Sequence, residues 1–152
     1  MTKKKKFTLK NLLHRTMKVD LVADVVIGTE EHKDYVVSWV KVRGSQDPLY
    51  QQKTAKYVDE YYQDTEDAKE QYEFKEGEKA SPELQEALTK INIDLMTATV
   101  ACAIEEWDED FFECKPTIEN ALKIFDDPAH SSFYNQITVS MKDAVNFLPI
   151  VG

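Results

Sequence analysis

The chain has 152 residues and a mass of 17.6 kDa, one domain's worth of sequence, and at that length about 70% of the unfolded surface is buried without disulfide or metal staples. A 42% apolar fraction with seven Phe, seven Tyr and two Trp excludes disorder, while four Gly and five Pro exclude collagen-like, low-complexity and Gly-rich phosphate-loop architectures. A net charge of −9, a pI near 4.8 and no apolar run approaching the ~18 residues of a membrane span read as a soluble, acidic, compact protein.

Charge is unevenly placed from the start. The first twenty residues set Lys3, Lys4, Lys5, Lys6, Lys10, Arg15 and Lys18 against Asp20 alone, a net of +6, which leaves −15 for the rest. No apolar stretch or small-residue cleavage site follows the lysines, so they do not read as a secretion signal. Basic arms bind phosphate through counterion release, but the acidic body would repel a duplex or an anionic membrane. The expectation is therefore a solubilising terminus, or a strip pairing with the acidic body of a neighbouring subunit, with no specific nucleic acid and no membrane as partner.

Residues 7–18 fit a short helix or an edge strand equally. Val19, Leu21, Ala23, Val25 and Ile27 then alternate along a first strand whose other side (Asp20, Val22, Asp24, Val26) is mixed. A polar connector over 28–34 leads to a second strand, Tyr35 to Val42, ended by Arg43-Gly44. Two strands alone are marginal in water, so this ribbon must lie on helices or on a neighbour. Asp47 as N-cap before Pro48 opens a helix over 48–74 with only a thin apolar stripe and dense charge. Ser81-Pro82 restarts a helix that runs to about Trp107, with Leu84, Leu88, Ile91, Leu95, Ala98 and Cys102 stepping by three and four. Asp108, Glu109 and Asp110 end it, since acids sit poorly at a helix C-terminus. Thr117 and Asn120 cap a short helix with Ala121, Leu122, Ile124 and Phe125 inward, stopped at Pro128. A last helix carries Phe133, Ile137, Met141, Ala144, Val145 and Leu148, closed by Pro149. The fold class is mainly α (α+β): one domain over 1–152, with a basic arm (1–18), an N-terminal two-stranded β-ribbon (19–43) and a helical body (48–148).

Signatures of chemistry are missing from this chain. There is no nucleophile-elbow, phosphate-loop, zinc-protease or calcium-loop motif, and His14, His32 and His130 are scattered singly. Cys102 and Cys114 lack the paired spacing of a structural zinc site; Cys102 reads as a small buried thiol, and a Cys102–Cys114 disulfide requires the chain to turn back between them. The acids from Glu105 to Asp110 are spread around a helix and read as a solvated helix end rather than a cation site. The expectation is no catalytic residues, no metal and no cofactor: not an enzyme. The remaining signal is aromatic. Tyr50, Tyr57, Tyr61, Tyr62, Tyr72 and Phe74 crowd one thinly apolar stretch, and Phe111-Phe112 follow Trp107. Large rings on such a helix suit an interface, where Tyr and Trp are enriched. The expected partner-binding residues are Tyr57, Tyr61, Tyr62, Trp107, Phe111, Phe112 and Phe125.

The C-terminal order is Ile104-Glu-Glu-Trp107-Asp108, an acidic and aromatic crossing to Phe112, Thr117-Ile-Glu-Asn120, Ala-Leu-x-Ile-Phe-Asp-Asp-Pro128 and a final amphipathic helix. It resembles the tail assembly chaperones of long-tailed bacteriophages and their prophages. Val42 to Tyr50 also resembles the strand-to-helix junction of that family, so the likeness spans roughly residues 40–148 and is strongest over 100–148. The lysine-rich start and Tyr-rich helix are not diagnostic of it and place the sequence on a divergent branch. The resemblance implies a non-enzymatic protein of the host cytoplasm, left out of the mature virion. Such a protein coats the tape measure protein, recruits tail tube protein, and self-associates as a spiral or ring. A longer, frameshifted form is common in the family, and the ending Ile150-Val-Gly152 suits the shorter form. Two alternatives stay open: a structural tail or head–tail subunit, and an acidic DNA-mimic or anti-host protein. Against the mimic stand 19 basic residues interleaved with the 28 acids.

Overall fold

The computed structural model describes residues 16–143. Of these, 57% are helical and 23% in strands, so the fold is mixed α+β. Strand β1 (Thr16–Ile27) and strand β2 (Glu30–Arg43) form a long antiparallel hairpin. Only Gly28 and Thr29 turn it, with Gly28 at φ +64, where a side chain would be strained. The expected polar connector over 28–34 is thus corrected. Glu30 to Asp34 are strand residues because Val25, Val26 and Ile27 across the ladder supply them with partners. Asp34, at φ +51 beside a register shift, donates its N–H to Asp24 Oδ1 (3.0 Å), which holds the irregularity in place.

Asp47 makes the junction to the helices. Its Oδ1 accepts from Leu49 N (2.8 Å) and Tyr50 N (3.4 Å), capping helix α1 (Pro48–Gln71), while its Oδ2 faces Arg43 Nη1 at 3.4 Å. The second guanidinium nitrogen of Arg43 pairs with Glu105, so one buried cation ties the end of β2 to the start of α1 and to the sheet's far strand. Helix α2 (Pro82–Ala103), capped by Ser81 through Leu84 N (3.2 Å), returns antiparallel along α1. Cys102 Sγ lies 3.6 Å from Lys53 O at one end of this pair, and Ala68 and Leu84 are buried at the other.

Helix α2 stops at Ala103, not near Trp107. Ile104–Trp107 is strand β3, antiparallel to β2 with Val40 opposite Trp107 and Val42 opposite Ile104. The sheet order is β1-β2-β3, so the two-stranded ribbon is corrected to a three-stranded antiparallel sheet. Asp108 does not end a helix either. Its carboxylate caps the turn α3 (Glu109–Phe112), where acids favour the N-terminal dipole. Thr117 caps α4 (Ile118–Phe125) through Asn120 N (3.1 Å), and α5 (Ser131–Lys142) follows a 3₁₀ turn at Pro128–His130. Of the expected arm over 1–18, Thr16 to Lys18 are corrected to strand β1, where they pair with Arg43, Val42 and Lys41, and the rest of it, with the expected helical positions Ala144, Val145 and Leu148, lies outside the described residues.

One core fills the space between the sheet's inner face and the helices. Val19, Leu21, Val40 and Val42 meet Val100, Ala101 and Ala103 of α2, Ala121 and Phe125 of α4, and Ile137 and Met141 of α5. Trp107 belongs to it. Among the described residues no helix is long and apolar enough to cross a membrane.

Candidate interaction surfaces

The hairpin is longer than the core needs. Its inner face is covered as far as Leu21 and Ser38, 0% and 3% exposed. At the next residue α5 makes its last hold on the edge: Val22 N–H donates to Gln136 Oε1 (2.8 Å) and Gln136 Nε2 donates to Val22 O (3.0 Å), so one amide side chain imitates a neighbouring strand. Strand β3 reaches no further along β2 than Val40. Beyond these points the ribbon is two strands wide among the described residues. It carries Val26 (64% exposed), Val36 (53%), Ile27 (49%) and Tyr35 (44%). Val22 opposite Val36 and Ala23 opposite Tyr35 make its middle apolar, while Glu30, Glu31 and Lys33 near the turn keep it charged.

A second surface lies on the helical pair. Residues 57, 60, 61 and 64 fall on one face of α1 and 91, 94 and 95 on one face of α2. Together Tyr57, Tyr61, Ile91 and Leu95 with Glu60, Asp64 and Asp94 line a narrow groove. Tyr62 leaves this seam and is 64% exposed, its ring edge-on to Tyr61 at 5.5 Å. Tyr72, Ile93 and Met96 are also exposed along the pair.

Of the residues expected to bind a partner, Tyr57 and Tyr61 help to line that groove, Tyr62 faces solvent, and Phe111 is partly exposed. Trp107 and Phe125 are corrections: both are core, buried between the sheet, α2 and α4, and present nothing to a partner. Phe112 is half-buried and stacks on the Trp107 indole, 4.4 Å between centroids and 19° between planes. Trp107 Nε1 donates to Cys114 O at 2.8 Å, which fixes the crossing after the strand. Phe111, edge-on to Phe112 and Phe133, carries this aromatic cluster to the surface. Val26, Ile27, Tyr35 and Val36 were not among the expected residues. Their signal was present in Val22 and Val26 on the mixed side of the first strand and in the insufficiency of a lone ribbon.

The acid run does not gather. Glu105 pairs with Arg43, Glu106 with Lys41 across the sheet (3.2 Å), and Asp108 caps α3. Among the described residues no three His, Cys, Asp or Glu side chains are placed to hold a metal ion. Both cysteines are free thiols. Burial pushes the Cys102 thiol up from its ordinary range, partly offset by Lys53 and Lys56. Burial likewise raises Tyr50, tempered by its hydrogen bond with the Thr99 side chain, and Tyr134. Compared with protein-family models, curated proteins and solved structures, the chain matches none.

Proposed function

We propose that this protein is a tail assembly chaperone of the long-tailed bacteriophage type. It is a non-enzymatic binding protein that coats the tape measure protein, recruits tail tube subunits and associates with its own copies. It acts in the host cytoplasm and is left out of the finished virion. The residue order from Trp107 to Pro128 supports the reading, and in the fold that order forms one packed unit of strand, crossing and capped helix around the indole. The observation that carries it is the hairpin that outruns its support and holds four large apolar side chains in water. A coat for apolar helices needs such a surface, together with net charge to keep the assembly dispersed.

The test is capture of a co-expressed tape measure segment by the wild type and by Val26→Thr/Val36→Thr. Threonine keeps the β-branched shape and the strand. Burying the exposed share of each valine is worth about 1 kcal/mol, so the double variant should bind about 30-fold more weakly. Equal capture, with matching circular dichroism, would remove the hairpin from the interface. Failure of the wild type itself to capture the segment would remove the chaperone reading.

A further inference from the structure

We propose that one flank of the α1–α2 pair is a two-fold contact through which two copies of this chain join as a four-helix dimer. It is the flank opposite Tyr57, Glu60 and Asp94. At about 100° per residue, Ala55, Val58 and Tyr62 of α1 and Leu88, Asn92 and Met96 of α2 fall on it, on the same side of the antiparallel pair. Asn92 Nδ2 donates to Met96 Sδ at 3.6 Å, and Tyr62 and Met96 are both exposed. Helix α1 packs on α2 and has no comparable contact elsewhere among the described residues. Two helices share one seam, so Val58 and Leu88 at its margin stay half-buried, and a second helical layer would cover them.

Charge selects the occupant. The two helices carry thirteen charged side chains, nine on α1 and four on α2. Of these only Lys69 reaches the flank, and its ammonium already lies 3.8 Å from Glu66 and over the Phe74 ring. On a two-fold contact each patch meets its own copy, so a charged face would set like charges together. The other faces of this acidic pair would do so; this one would not. Its uncharged mixture of Tyr, Met, Leu, Val and an amide is what the centre of an interface uses. The size is sufficient. From Gln51 to Lys69 the flank runs about 27 Å, and two helices side by side are about 20 Å wide. Two such footprints come to about 1,100 Å², above the ~1,000 Å² of a specific interface and below the size of an obligate one. Monomer and dimer should therefore exchange with concentration.

Sedimentation of the full chain over about 5 to 500 μM tests the contact. The mass should rise from 17.6 kDa to twice that value. Tyr62→Glu/Met96→Glu places four carboxylates in one dry contact and should raise the dissociation constant about 100-fold or more. Both positions are exposed and glutamate favours helix, so circular dichroism should be unchanged. Glu60→Gln/Asp64→Asn, on the opposite flank, should leave the dimer as it is. A monomer at every concentration, or a dimer equally tight in the Tyr62→Glu/Met96→Glu variant, would overturn the proposal. So would assemblies that grow past the dimer and lose nothing in that variant. A monomer whose capture of the tape measure segment is lost in that variant would give the flank to that partner instead. The proposal rests on the self-association in the reading above. Sedimentation uses this chain alone and wild-type capture is scored separately, so the dimer contact and the chaperone reading fail by different results.

Discussion

Replacing Trp107 with Phe separates two roles that an aromatic residue in this position could have, scaffold and partner contact. The indole is 3% exposed, stacks on Phe112 and donates to the Cys114 carbonyl. Phenylalanine keeps the stack and removes the donor, a net loss of about 1 kcal/mol for one hydrogen bond. The smaller ring also leaves about 40 Å³ unfilled, which costs ~1 kcal/mol as cavity and roughly another for lost transfer energy. The sum is about 3 kcal/mol. For a domain of this size that lowers the melting temperature by about 6–12 °C. Urea titration followed by circular dichroism measures the loss, and capture of the tape measure segment at a temperature where the variant is folded tests the proposed function. The expected result is large destabilisation with capture unchanged. A loss below about 1 kcal/mol would refute the packing argument. Weakened capture at undiminished stability would return Trp107 to the interface, against its burial.

Three further predictions concern Asp47, the buried ionisable groups and the two thiols. Asp47→Ala removes the α1 cap and one partner of buried Arg43 but leaves Glu105 in place, so unfolding free energy should fall by about 2 kcal/mol; Asp47→Asn, which keeps a capping oxygen, should lose visibly less in the same urea titration. The raised ionisation of Cys102, Tyr50 and Tyr134 means the fold favours their neutral forms. Stability from these groups is complete below their unfolded values of 9.0 and 10.0 and is lost as pH rises through the higher folded ones, so the urea midpoint should drop above pH 9.0 and be flat just below it. In native protein a thiol reagent should modify Cys114 well before Cys102, and equal rates would contradict the burial of Cys102.

What could be read from the residues follows the range of the interactions involved. Asp47-Pro48, Ser81-Pro82 and Thr117 were legible because a cap is a contact between a side chain and backbone two or three residues away. The spacing of Leu84, Ala98 and Cys102 was legible because helical periodicity marks a buried stripe, although Cys102 lies against α1 and the core is met by Val100, Ala101 and Ala103. Strand β3 was not. Ile104 and Trp107 continue the three-and-four spacing of α2, and what makes them a strand is the unpaired edge of Val40–Val42, more than sixty positions earlier. The same long-range effect misassigned Trp107 and Phe125. A ring's type marks it as able to bind, whereas its neighbours in space decide whether it faces a core or a partner. Glu30 to Asp34 look like a loop by composition and become strand because the apolar side of the ladder was already set by Val25 to Ile27.

The hairpin's length is the feature that packing leaves unaccounted for. Everything this core takes from the sheet ends at Leu21 and Ser38, and Gln136 closes the free edge one residue later. A turn placed there would complete the domain with fewer exposed apolar groups. Instead β1 continues through Val22, Val25, Val26 and Ile27, and β2 returns through Tyr35 and Val36. A two-stranded ribbon of this kind is weakly stable on its own and presents both of its edges, a standing liability for uncontrolled pairing. Charges at the turn and the Asp24–Asp34 irregularity restrain that liability without removing the apolar surface. Surface that costs solubility and contributes nothing to the core is what a partner contact would use, which is why the proposed interface rests on the ribbon rather than on the buried rings.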